Sequence, residues 1–427
     1  MRAVPADVKR ILKKIEEAGY RAYITGGSLR DLLRGREPAD WDLSTTAPPE
    51  TVSLLFPEAD RRGMPFGVVR VRDGALEADV ASLRKDGAYF DYRRPSGITF
   101  TNCVEEDLMR RDFGMNAMAM GTDGRIIDPF GGQKQIQKKL IQAVGNPEDR
   151  FREDPLRILR GLRLAAELDF DLEAETFHAM EKTSSLLHEV SPERRRTEFE
   201  RLISAEHAGK GLRMCTAAGV MPALIGGCFP PPRSTEHGSF EMLLQNIDLD
   251  KQRRTRPDLR IALLFLCCDQ KKSMQAIDDL HYDRHTADLM KCAQKHLSEL
   301  HLASGSFELK RFIYLHGWEA YAFLNELTKM QRDIFHISPF RIESRYYILQ
   351  EIKKNNEPIF VRDLAIDGND LKEAGIAEGE RIGEILKLLT ETVHRYPGLN
   401  TREKLLKKAK SMKNPWIAKL KSLNWTR

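Results

Sequence analysis

Residues 22–45 read AYITGGSLRDLLRGREPADWDLST, and this stretch decides what the first third of the chain becomes. AYIT is short and apolar, as a buried strand requires, and it ends in the pair Gly26–Gly27. SLRDLL carries leucines at helical spacing, with Gly35 placed to cap that helix at its C-terminal end. ADWDLST alternates as a second strand does. Glycines closing a strand let a ligand approach the backbone, and a following helix N-terminus offers unpaired N–H groups to an anion. That is a way to hold a phosphate, although a Gly-Gly pair alone is more often a turn.

Asp40 follows Gly27 by 13 residues, and Asp42 stands two further on. Positions i and i+2 of a strand share a face, so the two carboxylates are expected to converge. Adjacent carboxylates repel unless a cation lies between them, and Mg²⁺, with its preference for hard oxygen donors, suits that place. An isolated D-x-D is usually an N-cap plus an edge-strand acid; the phosphate-type turn just upstream reverses that weighting. Asp79, in the strand-like LEADVAS, is a candidate third carboxylate or a plain surface strand residue.

Working outward, residues 1–132 alternate α and β. A first helix is expected near 5–18, and VVRVRD, LEADVAS and MNAMAM read as short strands. From about residue 134 the pattern predicts helices only, in QKQIQKKLIQAV, DPLRILRGLRLAAEL, AETFHAMEKTSSLLHEV, RRRTEFERLISA and GKGLRMCTAAG. EEDLMRRDFGMNAM packs Arg110, Arg111, Asp112 and Asn116 together. Such a set fits a triphosphate clamp with a sugar contact, or an exposed helix end. IIDPFGG (126–132) reads equally as a domain-closing turn or a ligand loop. In REDPLRILRGLRL, Glu153 and Asp154 are placed near a helix N-terminus, where the dipole favours acids. Asp154 and Arg157, at i and i+3, are near enough to act together, and Arg160 and Arg163 continue the arginine row. An Asp–Arg pair offers acceptor and donors in one plane, as a base edge does; an ordinary intrahelical ion pair has the same spacing.

Composition excludes several classes. The chain has 427 residues, 41% hydrophobic and 31% charged, which allows two to four domains with cores of their own. No apolar run approaches the roughly 18 residues of a membrane span, and the amphipathic start MRAVPADVKRILKKIEEAGY has no secretory h-region. Six cysteines without C-x-x-C spacing predict reduced thiols in a cytoplasm and no cysteine zinc site. Residues 401–427 hold nine Lys and Arg against Glu403, a balance of +8, which leaves −3 elsewhere in a chain of net +5. A basic run of this kind is a solvated tail or a phosphate-backbone contact.

GGSLRD with DWD, RRDFGMNAM, DPFGG, EDPLR and ERRRTEFERL stand in the order and spacing of class II tRNA nucleotidyltransferases, which are the CCA-adding enzymes and the bacterial poly(A) polymerases. The resemblance is dense over 20–205 and thinner to about 410. It implies an α+β, polymerase-β-like head with a mixed sheet (1–137), followed by an all-α neck (138–208), a body (209–305) and an RNA-binding tail (306–427). It implies Mg²⁺ on Asp40 and Asp42, a triphosphate turn at Gly26, Gly27, Ser28 and Arg30, and ribose and phosphate contacts from Arg111, Asp112 and Asn116. Asp154 and Arg157, with Arg160 and Arg163 beside them, resemble the protein template that selects CTP and ATP. SPERRRTEFERLI (191–203) resembles the helix that braces it. The implied reaction is CCA addition to tRNA, with partial CC or A addition, or poly(A) synthesis, as the alternatives.

Two positions depart from the family pattern: Phe66 stands where a histidine is frequent, and Gly114 where threonine is usual. RKDGAYFDYRRPSGITF (84–100) resembles the mobile loop of complete CCA-adding enzymes. STEHGSFEMLLQN…LLFLCCD resembles a phosphohydrolase domain but lacks its His-Asp pair, leaving His237 isolated, so no hydrolase activity is expected. DLAIDGNDLKEAGIAEGERIGEILKLL (363–389) resembles the RNA-binding tail, which turns the basic end that follows towards a phosphate contact.

Overall fold

The computed structural model describes residues 4–74, 76–87, 97–336 and 340–412. The chain divides into two compact units. The first takes Met1–Pro230, Leu244–Pro257 and Asp279–His281; the second takes Pro231–Leu243, Asp258–Asp278 and Tyr282–Arg427.

In the first unit, α1 (Ala6–Glu17) is amphipathic, and Val8, Ile11, Leu12 and Ile15 form its buried stripe at three- and four-residue spacing. It leads into β1 (Ala22–Thr25), α2 (Gly26–Leu33), β2 (Trp41–Thr45), α3 (Pro49–Leu55), β3 (Val68–Asp73) and β4 (Leu76–Ser82). The pair β5 (Arg84–Asp86) and β6 (Ile98–Phe100) follows, then α4 (Val104–Met109), β7 (Ala119–Met120) and β8 (Ile126–Ile127). The main sheet runs β3-β4-β2-β1-β7-β8. It is mixed: β2 and β4 are parallel, and the other neighbours are antiparallel. The α1 stripe packs with Ile24, Leu29, Leu32, Leu43, Val69, Val71 and Val80 as one core. Placing β2 and β4 side by side in parallel requires the crossover that α3 and β3 supply.

The helices after the sheet are α5 (Gly132–Lys138), α6 (Pro147–Glu153), α7 (Leu156–Leu168), α8 (Ala174–Thr183) and α9 (Pro192–Ile203). The region is not purely helical. QKQIQKKLIQAV breaks at Lys139, whose φ is +52°, and β9 (Leu140–Ile141) pairs in parallel with β10 (Asp171–Leu172). The partner lies about thirty residues away along the chain, so helical periodicity at 134–145 cannot announce it. MNAMAM likewise contributes just Ala119–Met120 as strand, after a tight turn over Gly114–Asn116. α7 packs on α8 closely at Gly161, where a Cβ would stand 2.5 Å from Met180 Cε and 2.7 Å from Phe113 Cζ. Such a contact leaves room for glycine alone.

The second unit is helical. Arg284–Leu302 and Ser306–Phe335 form a long hairpin, and residues 361–412 build a separate core around Leu371, Ile385, Leu389, Val393, Leu405 and Ala409. Among the described residues no single helix is long and apolar enough to cross a membrane.

Candidate active site

A cavity of about 480 Å³ opens on the first unit. Its floor is the sheet. Gly26 and Gly27 enter from the β1–α2 turn, Asp42 and Ser44 from β2, and Asp79 from β4. In the parallel register Asp42 lies directly beside Asp79, so both carboxylates point to one face. Gly26 has φ +64°, and a Cβ there would stand 3.0 Å from Asp42 Oδ2 and 3.2 Å from Arg111 Nη1. The turn therefore needs glycine for its backbone and for its close approach to the carboxylate.

Asp40 is placed differently from the expectation. It precedes β2, is exposed, and does not line the cavity. Ser28 joins the two acids through the backbone: its hydroxyl accepts from the Asp42 N–H at 2.6 Å and donates to the Asp40 carbonyl at 3.1 Å. Asp79 is held by Arg70, with Nε 2.7 Å from Oδ1 and Nη2 2.9 Å from Oδ2. Burial raises the Asp42 pKa above the usual carboxylate range, and the charges of Asp79 and Asp40 add to this against the opposing pull of Arg111.

The second wall comes from the RRDFGMN segment. Asp107, which sequence reasoning passed over, is almost fully buried and anchors both arginines. Arg110 Nη2 donates to it at 2.7 Å and Arg111 Nη2 at 3.1 Å. The i, i+3, i+4 spacing in DLMRR was the available signal. Arg111 also donates to the Asn116 carbonyl and to Ser44 Oγ, each at 3.3 Å. Arg30 stays outside the cavity lining and donates to Asn116 Oδ1 at 3.0 Å, fixing that amide. Asp112 is buried, which alone would raise its pKa, but Arg160, Arg157 and Arg111 with the Phe113 N–H together outweigh burial and hold it below its ordinary value. Arg160 Nε stands 2.8 Å from Asp112 Oδ2, an ion pair without hydrogen-bond alignment.

Gly114 and the DPFGG turn prove to be one device. The space a side chain at 114 would take is filled by Gln135, whose Nε2 is 2.3 Å from a Cβ built there. Gln135 accepts from the Met115 N–H at 2.9 Å and donates to the Phe130 carbonyl at 3.0 Å. Asp128 caps α5 by accepting from the Gly132 and Gln133 N–H groups. The turn thus supports the arginine segment and does not line the cavity.

Asp154, Arg157 and Arg160 complete the lining. Glu153 ends α6 and Asp154 caps it in extended conformation before Pro155, so of the two acids Asp154 alone serves the N-terminus of α7, by accepting from the Leu156 N–H. The ordinary intrahelical ion pair, the alternative reading of Asp154 and Arg157, is not what their carboxylate and guanidinium make. Arg157 donates instead to Glu153 at 2.7 Å and to the Arg110 carbonyl at 3.2 Å. Asp154 accepts from Arg194 Nη2 on α9 at 2.9 Å and from the Leu156 N–H at 3.2 Å. One tertiary partner, Arg194, and one local one, Glu153, take the two charges, because the extended residue 154 before Pro155 lies outside the helix. Arg163 lies away from the cavity: it is buried between α7 and α9 and pairs with Glu198 at 2.6 Å. Phe66 is exposed in a short turn, and residues 88–96 of the expected loop lie outside those described.

The raised Asp42 pKa sets a test of stability. A group whose folded pKa exceeds its unfolded one adds stability at acid pH that is lost as pH rises, so ionised Asp42 costs stability at neutral pH. In the absence of divalent ions, Asp42→Asn should melt above the wild type at pH 7. The gap should close as pH falls through the ordinary aspartate range near about 4. Equal melting temperatures at pH 7, read by circular dichroism, would remove the assigned burial cost.

Residues 22–142 match the family model described as Poly A polymerase head domain, and residues 169–226 match that of the probable RNA and SrmB- binding site of polymerase A. A protein of Streptococcus pyogenes serotype M2 named CCA-adding enzyme is 46% identical over 217 residues, which is 50% of this chain and 54% of that protein. The match therefore spans about half the length of the curated relatives. The fold is similar throughout to the crystal structure of Bacillus stearothermophilus CCA-adding enzyme in complex with CTP, with TM-score 0.77 and 26% identity over 98% of each chain. Thermotoga maritima CCA-adding enzyme complexed with tRNA_CCA shares the fold at TM-score 0.62 and 20% identity, over 96% of this chain and 97% of that one.

Proposed function

We propose, from a head and a helical segment that belong to the poly(A) polymerase and tRNA nucleotidyltransferase family, that this chain adds CMP and AMP from CTP and ATP to the 3′ end of tRNA, in the cytoplasm. The observation that carries this reading is that one cavity holds a carboxylate pair, Asp42 and Asp79, together with Arg111 and with the acceptor Asp154 beside the donor Arg157. A nucleotide needs these parts together: anchors for phosphates, acids for a metal, and a polar reader for the base.

In the reaction the RNA 3′-hydroxyl attacks the α-phosphate and pyrophosphate leaves. The Gly26 and Gly27 N–H groups at the α2 N-terminus and the Arg111 guanidinium face the triphosphate and orient it. Asn116, fixed by Arg30, meets the ribose. Asp112 balances Arg160 and Arg157 and keeps their donors in place. Asp154 accepts from the exocyclic amine that cytosine and adenine share and uracil lacks, and Arg157 donates to the neighbouring acceptor. The acids Asp42 and Asp79 fit a divalent ion of hard-oxygen preference, Mg²⁺, since Asp42 carries a desolvated charge that a cation would balance, while Asp40 adds its charge from outside the cavity lining. Such an ion, when bound, lowers the pKa of the attacking hydroxyl and offsets charge on the transferred group.

Supplying tRNAs that end before CCA, after C and after CC, each with single nucleotides, tests the reading. CTP should be used on the first two and ATP on the third. Long adenylate tails would instead mark a poly(A) polymerase, and incorporation at one step alone a partial enzyme.

The basic end is a further part of the tRNA surface. A truncation that tests this must spare the helix Arg402–Ser411, because Leu405 and Ala409 belong to the core and Arg402 is bound to Asp370 at 2.7 Å. Deleting residues 401–427 would strip that core. Deleting 413–427 removes four cations, Lys413, Lys419, Lys421 and Arg427, and leaves the helix whole. This truncation should weaken tRNA binding and flatten log affinity against log salt by about 0.7–0.9 per lost phosphate contact. An unchanged slope would make the end a solvated tail.

A further inference from the structure

We propose that His296, Glu299 and His316 bind a divalent transition-metal ion, Zn²⁺ or its like, between the two long helices of the second unit. His296 and Glu299 stand at i and i+3 on the helix Arg284–Leu302 and so share a face. His316 comes from the facing helix Ser306–Phe335, which breaks immediately after it at Gly317, with φ +85° and ψ 167°. The glycine supplies this break, since its backbone takes a positive φ without a side-chain clash.

The donor atoms of the three side chains all lie within 4.8 Å of one another. Glu299 Oε2 is 3.1 Å from His296 Nδ1 and 3.3 Å from His316 Nε2. Around a tetrahedral ion with bonds of about 2.0–2.2 Å, neighbouring donors stand about 3.4 Å apart, so two of the three edges are already set. The imidazole rings approach to 4.1 Å at 37°, and Phe312 packs on His316 at 4.7 Å. Two imidazolium ions at this spacing would repel. Burial, followed by the charge of His296, lowers the His316 pKa in agreement with that packing. Neutral imidazole is the form that ligates metal.

His296 and His316 line a cavity of about 410 Å³, which leaves space for water or another ligand in a fourth position. Asp288 and Glu319 line it on the acidic side; of the two lysines there, Lys291 is tied to Asp278 at 2.5 Å and Lys295 is the other. Two nitrogens and one carboxylate select zinc or cobalt over magnesium, so the site differs in chemistry from the oxygen-lined cavity of the first unit. An ion here would clamp the helical hairpin, and a ligand that binds the folded state alone raises its stability.

The test uses the full-length protein after chelator treatment. Zn²⁺ is titrated by calorimetry, Co²⁺ by its visible absorption, and melting is followed with and without Zn²⁺. The wild type should bind one ion with the intense bands of tetrahedral cobalt and melt higher with zinc. Glu299→Gln and His316→Ala should lose at least about tenfold in affinity and most of the melting shift, while nucleotide addition in zinc-free buffer is unchanged. Asp42→Asn should keep zinc binding, which separates this site from the head carboxylates. Should His316→Ala not fold, the near-isosteric Glu299→Gln carries the comparison. Wild-type protein without zinc binding, or variants that bind it equally well, would overturn the proposal.

Discussion

Asp42→Ala is expected to abolish nucleotide addition, with a rate at least about 1,000-fold below the wild type, while tRNA binding stays within a few-fold. The magnitude follows from the charge that develops on the transferred phosphoryl group, where loss of a metal-holding carboxylate removes about 4 kcal/mol or more of stabilisation at 1.36 kcal/mol per tenfold. Asp42 is central because it lies beside Asp79 in the sheet register and closest to the Gly26 turn. RNA affinity, on the proposed reading, would come from cations outside this cavity. The melting comparison with Asp42→Asn separates lost chemistry from lost folding, since that variant should gain stability. A rate still a tenth of the wild type, measured with saturating tRNA and CTP, would show that this carboxylate does not serve the reaction.

Asp154→Ala should lower the preference for CTP over UTP at least about tenfold, the effect of about 1.4 kcal/mol, while triphosphate affinity changes little. Gly26, Gly27 and Arg111, proposed to face the triphosphate, have no bond to Asp154. A site that leaves a buried polar partner unpaired rejects a wrong ligand strongly, so removing the acceptor lets uracil compete. CTP and ATP use should fall together, because on the proposed reading one carboxylate would serve the amine of both. Arg194 holds that carboxylate at 2.9 Å, so Arg194→Ala should move the preference in the same direction by less. Competition assays with mixed CTP and UTP read the ratio directly. Full preference retained in Asp154→Ala would make Asp154 a helix-capping acid that Arg194 merely fastens.

Much of this was legible in the chain because its cause is local. AYITGG and SLRDLL carry their own strand, turn and helix, and the α1 stripe declares its buried face at helical spacing. D-x-D, RRD and EDPLR were found as blocks because their residues lie within one or two turns of each other. What escaped had its cause elsewhere in the chain. The strand β9 exists because β10 lies beside it, and Gly114 is small because Gln135 occupies its space. Asp107 was passed over as one acid among three, until its burial under two arginines gave it a purpose.

The sequence by itself determined the mixed head, the helical remainder and the set of acids and arginines from which a site is drawn, since propensity and periodicity act through neighbours in the chain. The tertiary structure decided which members of that set meet. It put Asp79 beside Asp42 through a parallel pairing, left Asp40 at the strand's approach, and sent Arg163 to Glu198 between two helices. It gave Asp154 to Arg194, forty residues away, in place of Arg157, three residues away. Spacing along the chain fixes the distance of closest approach, but the partner a charge takes is chosen by the packed positions of every competing donor, and those exist once the chain has folded.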